Sequence, residues 1–551
     1  MHIGGSPTSP PRRLTESLAA LAVCVVVLLM GGCLGDVVPA ESNASNASSS
    51  QRPKDAGVKR PDSGAARRAQ SPEDRACPDD IARPLATGLS VVEVALYQTI
   101  KVPLYAEGEW QTERSAPIIQ DKRALVRVFA QSFPEYQPHP VQGVLRIKNG
   151  DDVVEIVDER ELVVDSTDGD TESTFNFEIS GSMLRESTQI AVSLEEPDCE
   201  AESGDVADVR IPKSGTKALR AEATGKLRIV VVPMVVDGRL PVLTDEQRAN
   251  IRAALLAFYP IADVELGEHD PINISASIDS SDQQALTDEL LHVLKSQRIA
   301  DRPDDSVYYL GVFQPGATFR VYCENGCVLG LAPQTTQINP REQYAVAAFF
   351  ADSRGYETIV HELGHAHGRG HSPCDTGIVP KGIDPNYPRR DGSVGDWGWD
   401  FRTGGLVPPT NKDVMGYCNP TWMSAYTYSL IATRSRQVNL KPATQALVQG
   451  SAQALVQRDD AATHSWRSVL LRSDGKARWG RALESDAPAG ALEPAVVRDA
   501  AGHIVAEVQV ARTQLTHTAG EFLGIPEPGP SWHALELRDR RIELGAILPP
   551  L

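Results

Sequence analysis

Between His361 and His371 the chain reads HELGHAHGRGH. No other run constrains the fold as much, because it makes sense only as a helix that stops at one defined residue. Four positions separate His361 from His365, so on a helix both imidazoles share a face and can reach one ion. Glu362 stands beside them, placed to handle a water on that ion. Gly368 then ends the helix. Only a residue free to take positive φ lets the chain turn sharply there and return His371 as a third nitrogen donor. The spacing therefore implies an open zinc site with three protein ligands and a fourth position left for water or substrate. His367 falls off the ligand spacing and is expected on the helix face or behind the ligands.

HExxHxxGxxH followed by a methionine turn resembles the signature of the metzincin clan of metallopeptidases. The segment Asp413-Val414-Met415-Gly416-Tyr417-Cys418 supplies a candidate for that turn. The resemblance implies one catalytic zinc on His361, His365 and His371, with Glu362 as general base in peptide-bond hydrolysis. It makes Met415 the apolar floor under the histidines and, with Gly368, a structural support. Tyr417 becomes the hydroxyl that can ligate zinc and then stabilise the oxyanion. The same resemblance implies a subdomain ordered strand, helix, strand, helix, strands, zinc helix. In it Gly330, Leu331 and Ala332 belong to an exposed edge strand that pairs with an extended substrate. An intact Glu362 argues against the competing reading, a surface adhesion protein whose zinc site is structural or inactive, because such a site needs no general base.

The N-terminus points to export. Arg12 and Arg13 precede an apolar run from Leu18 to Met30 that is too short to span a bilayer as a mature helix and fits a signal peptide. The ending Leu29-Met30-Gly31-Gly32-Cys33 resembles a bacterial lipobox, with Met30 as a departure, and implies acylation of Cys33. Residues 34–84 are rich in Ser, Asn, Pro and charge, cannot bury a core, and read as a tether. The expected location is the bacterial cell envelope, lipid-anchored or secreted, with membrane contact only through the anchor. A lipoprotein with β-modules flanking the zinc motif is similar to the ToxR-regulated, mucin-cutting metalloproteases, which implies protein or glycoprotein substrates. A formal net charge of −19 argues against nucleic acid as a partner.

Apart from Cys24 and Cys33 there remain Cys77, Cys199, Cys323, Cys327, Cys374 and Cys418, an even set that suggests disulfides in an exported chain. Cys374 and Cys418 each follow an element of the metal site, His371 and Met415, by three residues and are the favoured pair. Cys323 with Cys327 and Cys77 with Cys199 complete the set. Arg75-Ala76-Cys77-Pro78-Asp79 loosely resembles the matrixin cysteine switch but lacks the glycine after the cysteine.

The fold expected is α+β and multi-domain. A signal segment (1–33) and tether (34–84) precede a β-sandwich (85–224), a metzincin-like domain with a mixed sheet and active-site helix (225–436), and a small C-terminal β-domain (437–551). Thr244 to Phe258 reads as an amphipathic helix opened by Thr244, and the zinc helix is expected to begin near Arg354 behind Asp352 or Ser353. The run from Asp391 to Asp400 offers oxygen ligands for calcium without EF-hand spacing. A loop packed by its tryptophans against the substrate pocket is the favoured reading of that run.

Overall fold

The computed structural model describes residues 82–547, except 275–282, 317, 325–326, 335–341, 376–381, 441–464, 473–475, 485–489 and 518–519. The expected signal segment, Cys33, the tether up to residue 81 and Cys77 lie outside the described residues. What is described is sheet-rich with few helices, consistent with an α+β assignment.

Two antiparallel sheets make the N-terminal part. One contains Leu89–Ala106, Ala124–Ser132 and Thr174–Ile179, and the other Asp152–Glu161, Pro140–Asn149 and Gln189–Glu195. Alternation along these strands sends Val94, Leu96, Val126, Val128, Leu145 and Val192 into one shared core. The first sheet continues into an unexpected neighbour. Gly398–Asp400 pairs antiparallel with Leu89–Ala106, with Thr99 opposite Trp399, and Gly405–Val407 follows it. Trp399 accordingly packs with Tyr97, Leu125 and Phe129 rather than against a substrate pocket. The oxygens considered for calcium are also engaged: Asp391 pairs with Lys412 and Asp400 with Arg402.

The central sheet runs Asp263–Glu268, Lys226–Val235, Val307–Phe313, Tyr344–Ala348, Gly330–Leu331. The first four strands are parallel and the last is antiparallel. Buried on both faces, Lys226–Val235 and Val307–Phe313 are nearly continuous apolar runs, as parallel strands require. Helix Asp245–Phe258 opens in a capping box between Thr244 and Gln247 and sends Ile251, Leu255 and Phe258 into the core. Helix Ser353–Ala366 packs between this helix and the sheet, and the Tyr259 hydroxyl donates to Val360 O at 2.6 Å.

The C-terminal part is one seven-stranded antiparallel sheet. It docks on helix Gln283–Asp301, where Leu470, Leu515 and Phe522 join Leu290, Leu291 and Leu294 in one apolar cluster. Lys295 Nζ sits 4.0 Å over the Phe522 ring, and Arg472 and Arg478 each reach Glu289 Oε1 at 3.2 Å. The hairpin joining Ile504–Gln514 to Glu521–Pro526 extends past this helix into the zinc motif.

Candidate metal centre

Helix Ser353–Ala366 starts where Asp352 Oδ1 accepts from Gly355 N at 3.2 Å, and it is buried from Thr358 onward. A ring nitrogen needs an outer partner if its other nitrogen is to be aimed. His361 Nδ1 meets Val414 O at 2.6 Å and His365 Nδ1 meets Arg369 O at 2.7 Å, which turns both Nε2 atoms inward. Gly368 has φ +81°, and the turn it permits brings His371 back onto the same point. His365 Nε2 lies 3.0 Å from His361 Nε2 and 3.1 Å from His371 Nε2. A tetrahedral zinc with bonds of about 2.0–2.1 Å holds its nitrogens roughly 3.3 Å apart. Without an ion, converging lone pairs repel at this distance, so the arrangement fits a metal. Burial lowers the His361 pKa to about 3 and pushes that of His365 well below its ordinary value. Both rings are therefore neutral donors at physiological pH.

Beneath the rings lies the Asp413–Cys418 turn. The buried Asp413 carboxylate accepts from Met415 N at 2.8 Å, Thr427 Oγ1 at 2.8 Å, Ser424 N at 3.1 Å and the Ser424 hydroxyl. These donors fix the turn, and Met415, 1% exposed, is pressed against Gly364, where a Cβ would meet its sulfur at 2.4 Å. Cys374 and Cys418 lie at disulfide-bonding distance, with Cα atoms 5.8 Å apart, as do Cys323 and Cys327. Cys199 is disulfide-bonded. His367 serves the core: it stacks on Tyr308 and its Nδ1 bonds Leu363 O at 2.7 Å.

Glu362 is 2% exposed, and burial raises its carboxyl to about 8 against the opposing effect of His361. Its Oε2 has no hydrogen-bond partner among the described residues. Gly330 makes room for it, since a Cβ there would meet Glu362 Cγ at 2.4 Å. A cavity of about 500 Å³ opens beside this carboxylate, lined by Val328, Leu329, Tyr417 and Asn419 among others.

Two expectations need correction. The Gly330–Leu331 strand does end the central sheet, but the edge continuing through Ala332 is covered. Ala332 exchanges hydrogen bonds with Thr516, Pro333 bridges Leu515, and Gln334 N donates to Gln514 O at 3.0 Å. A fourth imidazole also stands beside the three, where an open position was expected. His517, from the same hairpin, lies with His361, His365 and His371 in one group whose candidate ligand atoms all fall within 4.8 Å. Its Nδ1 meets the Tyr417 hydroxyl, which also stands 3.3 Å from His371 Nε2. Spacing could not reveal His517: Leu515-Thr516-His517 carries no motif and acquires meaning only when the hairpin docks.

No family model matches the sequence, and no curated protein matches it. Among solved structures the chain is similar to archaemetzincin from Methanopyrus kandleri, at 18% identity over 26% of this chain and 76% of that one, with a TM-score of 0.17. At that score the likeness carries no argument about function.

Proposed function

We propose that the protein is a zinc-dependent endopeptidase of the bacterial cell envelope, acting on extracellular proteins or glycoproteins. The observation that carries this reading is Glu362, a buried carboxylate with one unpartnered oxygen, beside three converging imidazoles and at the mouth of a cavity. His361, His365 and His371 would hold a zinc ion, which would supply Lewis-acid chemistry and lower the pKa of a water toward neutrality. Brought to its carboxylate form by the charge of a bound cation, Glu362 would take the proton from the attacking water and deliver it to the leaving amine. Once its hydroxyl is free, Tyr417 donates to the developing oxyanion, an interaction typically worth about 10²- to 10³-fold in rate. Once the segment bonded to Ala332 leaves, the edge at Gly330 to Ala332 would align an extended peptide by main-chain pairing. Export is supported by the Leu18 to Met30 run, the lipobox-like ending at Cys33 and cysteine pairs at bonding distance.

A permanently closed zinc site without turnover is the second reading, favoured by the fourth imidazole, because structural zinc sites use four protein ligands. The two are separated by measuring zinc content and hydrolysis of an unfolded protein substrate for Glu362→Ala, in the native chain and in a His517→Asn background. The peptidase reading expects about one zinc per chain throughout and a loss of at least about 10²-fold with Glu362→Ala. No Glu362-dependent hydrolysis in either background would overturn it.

A further inference from the structure

A hairpin end in an all-β domain is normally solvated, yet Leu515 to His517, which follow Ile504–Gln514, reach the edge at Pro333 and the histidine triad. Three independent contacts describe how it sits. Gln514 to Thr516 run antiparallel along Ala332 to Gln334, with Thr516 N donating to Ala332 O at 3.0 Å, Ala332 N donating to Thr516 Oγ1 at 3.0 Å, and Gln334 N donating to Gln514 O. This is main-chain pairing on a sheet edge, the mode by which such an edge takes up an extended peptide. Leu515, 4% exposed, anchors the segment in the cluster that holds Leu331, Val346 and Phe522.

His517 completes the insertion. Its backbone has φ +57°, a conformation uncommon for a residue with a side chain, and the turn swings the ring over the histidine triad. The ring centroids of His361, His365, His371 and His517 are separated pairwise by 4.5 to 5.4 Å in all combinations. The fourth ring thus occupies the remaining vertex of a near-regular tetrahedron. Its Nδ1 meets the Tyr417 hydroxyl, its Nε2 has no hydrogen-bond partner among the described residues, and one of its ring nitrogens lies within 4.8 Å of the ligand atoms of the triad. That Nε2 is 3.1 Å from Glu362 Oε1, at ion-pair distance, but the contact does not meet hydrogen-bond geometry. Its lone pair is therefore not committed to the carboxylate.

We propose that His517 is a fourth protein ligand of the metal and that Gln514 to His517 form an internal occupant of the active site, holding the enzyme latent until the C-terminal sheet moves. The latency rests on the peptidase reading above, whereas the ligand assignment stands without it. In the docked state three requirements of hydrolysis are blocked together. The fourth metal position is filled, the Tyr417 hydroxyl is engaged, and the substrate edge is paired. Tethering makes the block efficient, because a segment held in the same chain competes at an effective concentration in the millimolar range.

The test uses the full chain loaded with cobalt(II), titrated with acetohydroxamate and followed by the visible spectrum, alongside hydrolysis of an unfolded protein by the zinc form. His517→Asn is the first variant, since asparagine tolerates positive φ, and His517→Gly the second, in case the turn is perturbed. The native chain is expected to show a closed four-nitrogen spectrum that acetohydroxamate barely changes. Both variants are expected to show a saturable shift, with zinc affinity lower by at least about 10-fold and hydrolysis higher by at least about 10-fold. A native chain that binds acetohydroxamate as readily as the variants overturns the ligand assignment. Variants that bind it yet show no Glu362-dependent hydrolysis leave the fourth ligand in place and remove the peptidase reading, and latency with it.

Discussion

The two β-rich regions flanking helix Ser353–Ala366 join the central sheet and its helices in opposite ways. On the N-terminal side the junction is structural and avoids the histidines. Gly398–Asp400 adds to the N-terminal sheet, Trp422 Nε1 donates to Thr99 O at 2.8 Å, and Thr99 Oγ1 donates to Ala257 O at 2.6 Å. Lys122 is buried, and its ammonium donates to Leu256 O and Tyr259 O at the end of helix Asp245–Phe258. Trp422 and Ala257 share a core with Met415 and Leu363. On the C-terminal side the apolar contact is confined to helix Gln283–Asp301 and its neighbours, and the hairpin beyond it reaches the chemistry. The first region shapes the platform under the site. The second brings a side chain to the histidines themselves.

The largest effect should separate the two junctions. Trp422 is 2% exposed and packs on Phe258 with ring centroids 4.6 Å apart, while Phe522 is 1% exposed and lies against His292 and Lys295. Each alanine substitution should cost about 3–5 kcal/mol locally. Trp422→Ala is expected to lower the melting temperature of the catalytic body and lose zinc with it. Phe522→Ala is expected to loosen the C-terminal sheet alone and raise hydrolysis. Calorimetry, zinc content and rate on both variants check this, and a fall in rate with Phe522→Ala would break the distinction.

The same contrast explains what the sequence disclosed. The histidine triad, the Asp352 cap, the turn at Gly368 and the capping box at Thr244 depend on residues within a few positions of one another, so their geometry is written in local spacing. The two-sheet N-terminal part was legible from alternation. Gly398–Asp400 was not, because three residues are too few to show a period and the surrounding glycines and aspartates read as loop. His517 was hidden for a different reason. Its partners lie a hundred or more positions away, and the hairpin that presents it looks like any polar turn. Local pattern therefore identified the three converging imidazoles and missed the fourth that joins them.

Acid should act on the C-terminal junction next. His292 is 3% exposed, and burial lowers its pKa to about 4, with the cations Lys295 on its own helix and Arg478 from the sheet acting in the same direction and a Trp479 backbone bond opposing them. Glu289, one turn earlier on the helix, bridges Arg472 and Arg478 beside it. A docked state with a depressed pKa binds the proton later than the undocked one, whose histidine titrates near 6.5. Docking is therefore fully stable above about pH 6.5, weakens as pH falls toward about 4, and levels off below. The loss is at most on the order of 3 kcal/mol. Burial lowers Lys295 to about 8, so it stays charged across this window and adds no slope. Limited proteolysis of the C-terminal sheet from pH 7 to 4 should accelerate in the native chain and much less in His292→Gln. Equal profiles would assign the acid response elsewhere.

The smallest effect concerns the carboxylate at the rim of the same junction. Glu289, with a side chain 8% exposed, is shared by Arg472 and Arg478, whose side chains are 11% and 16% exposed, so the bridges are largely removed from water and weakly screened. Glu289→Gln keeps an acceptor oxygen and nearly the same shape but removes the charge that two guanidinium groups face. The cost should be roughly 1–2 kcal/mol, a change of about tenfold in the docked fraction. If docking by the C-terminal sheet is what keeps His517 over the histidines, that tenfold appears as a matching rise in acetohydroxamate binding by the cobalt(II) form, with no change in the stability of the catalytic body. An unchanged titration with a lowered overall melting temperature would show instead that Glu289 supports the central fold, and that the C-terminal region, like the N-terminal one, is platform rather than plug.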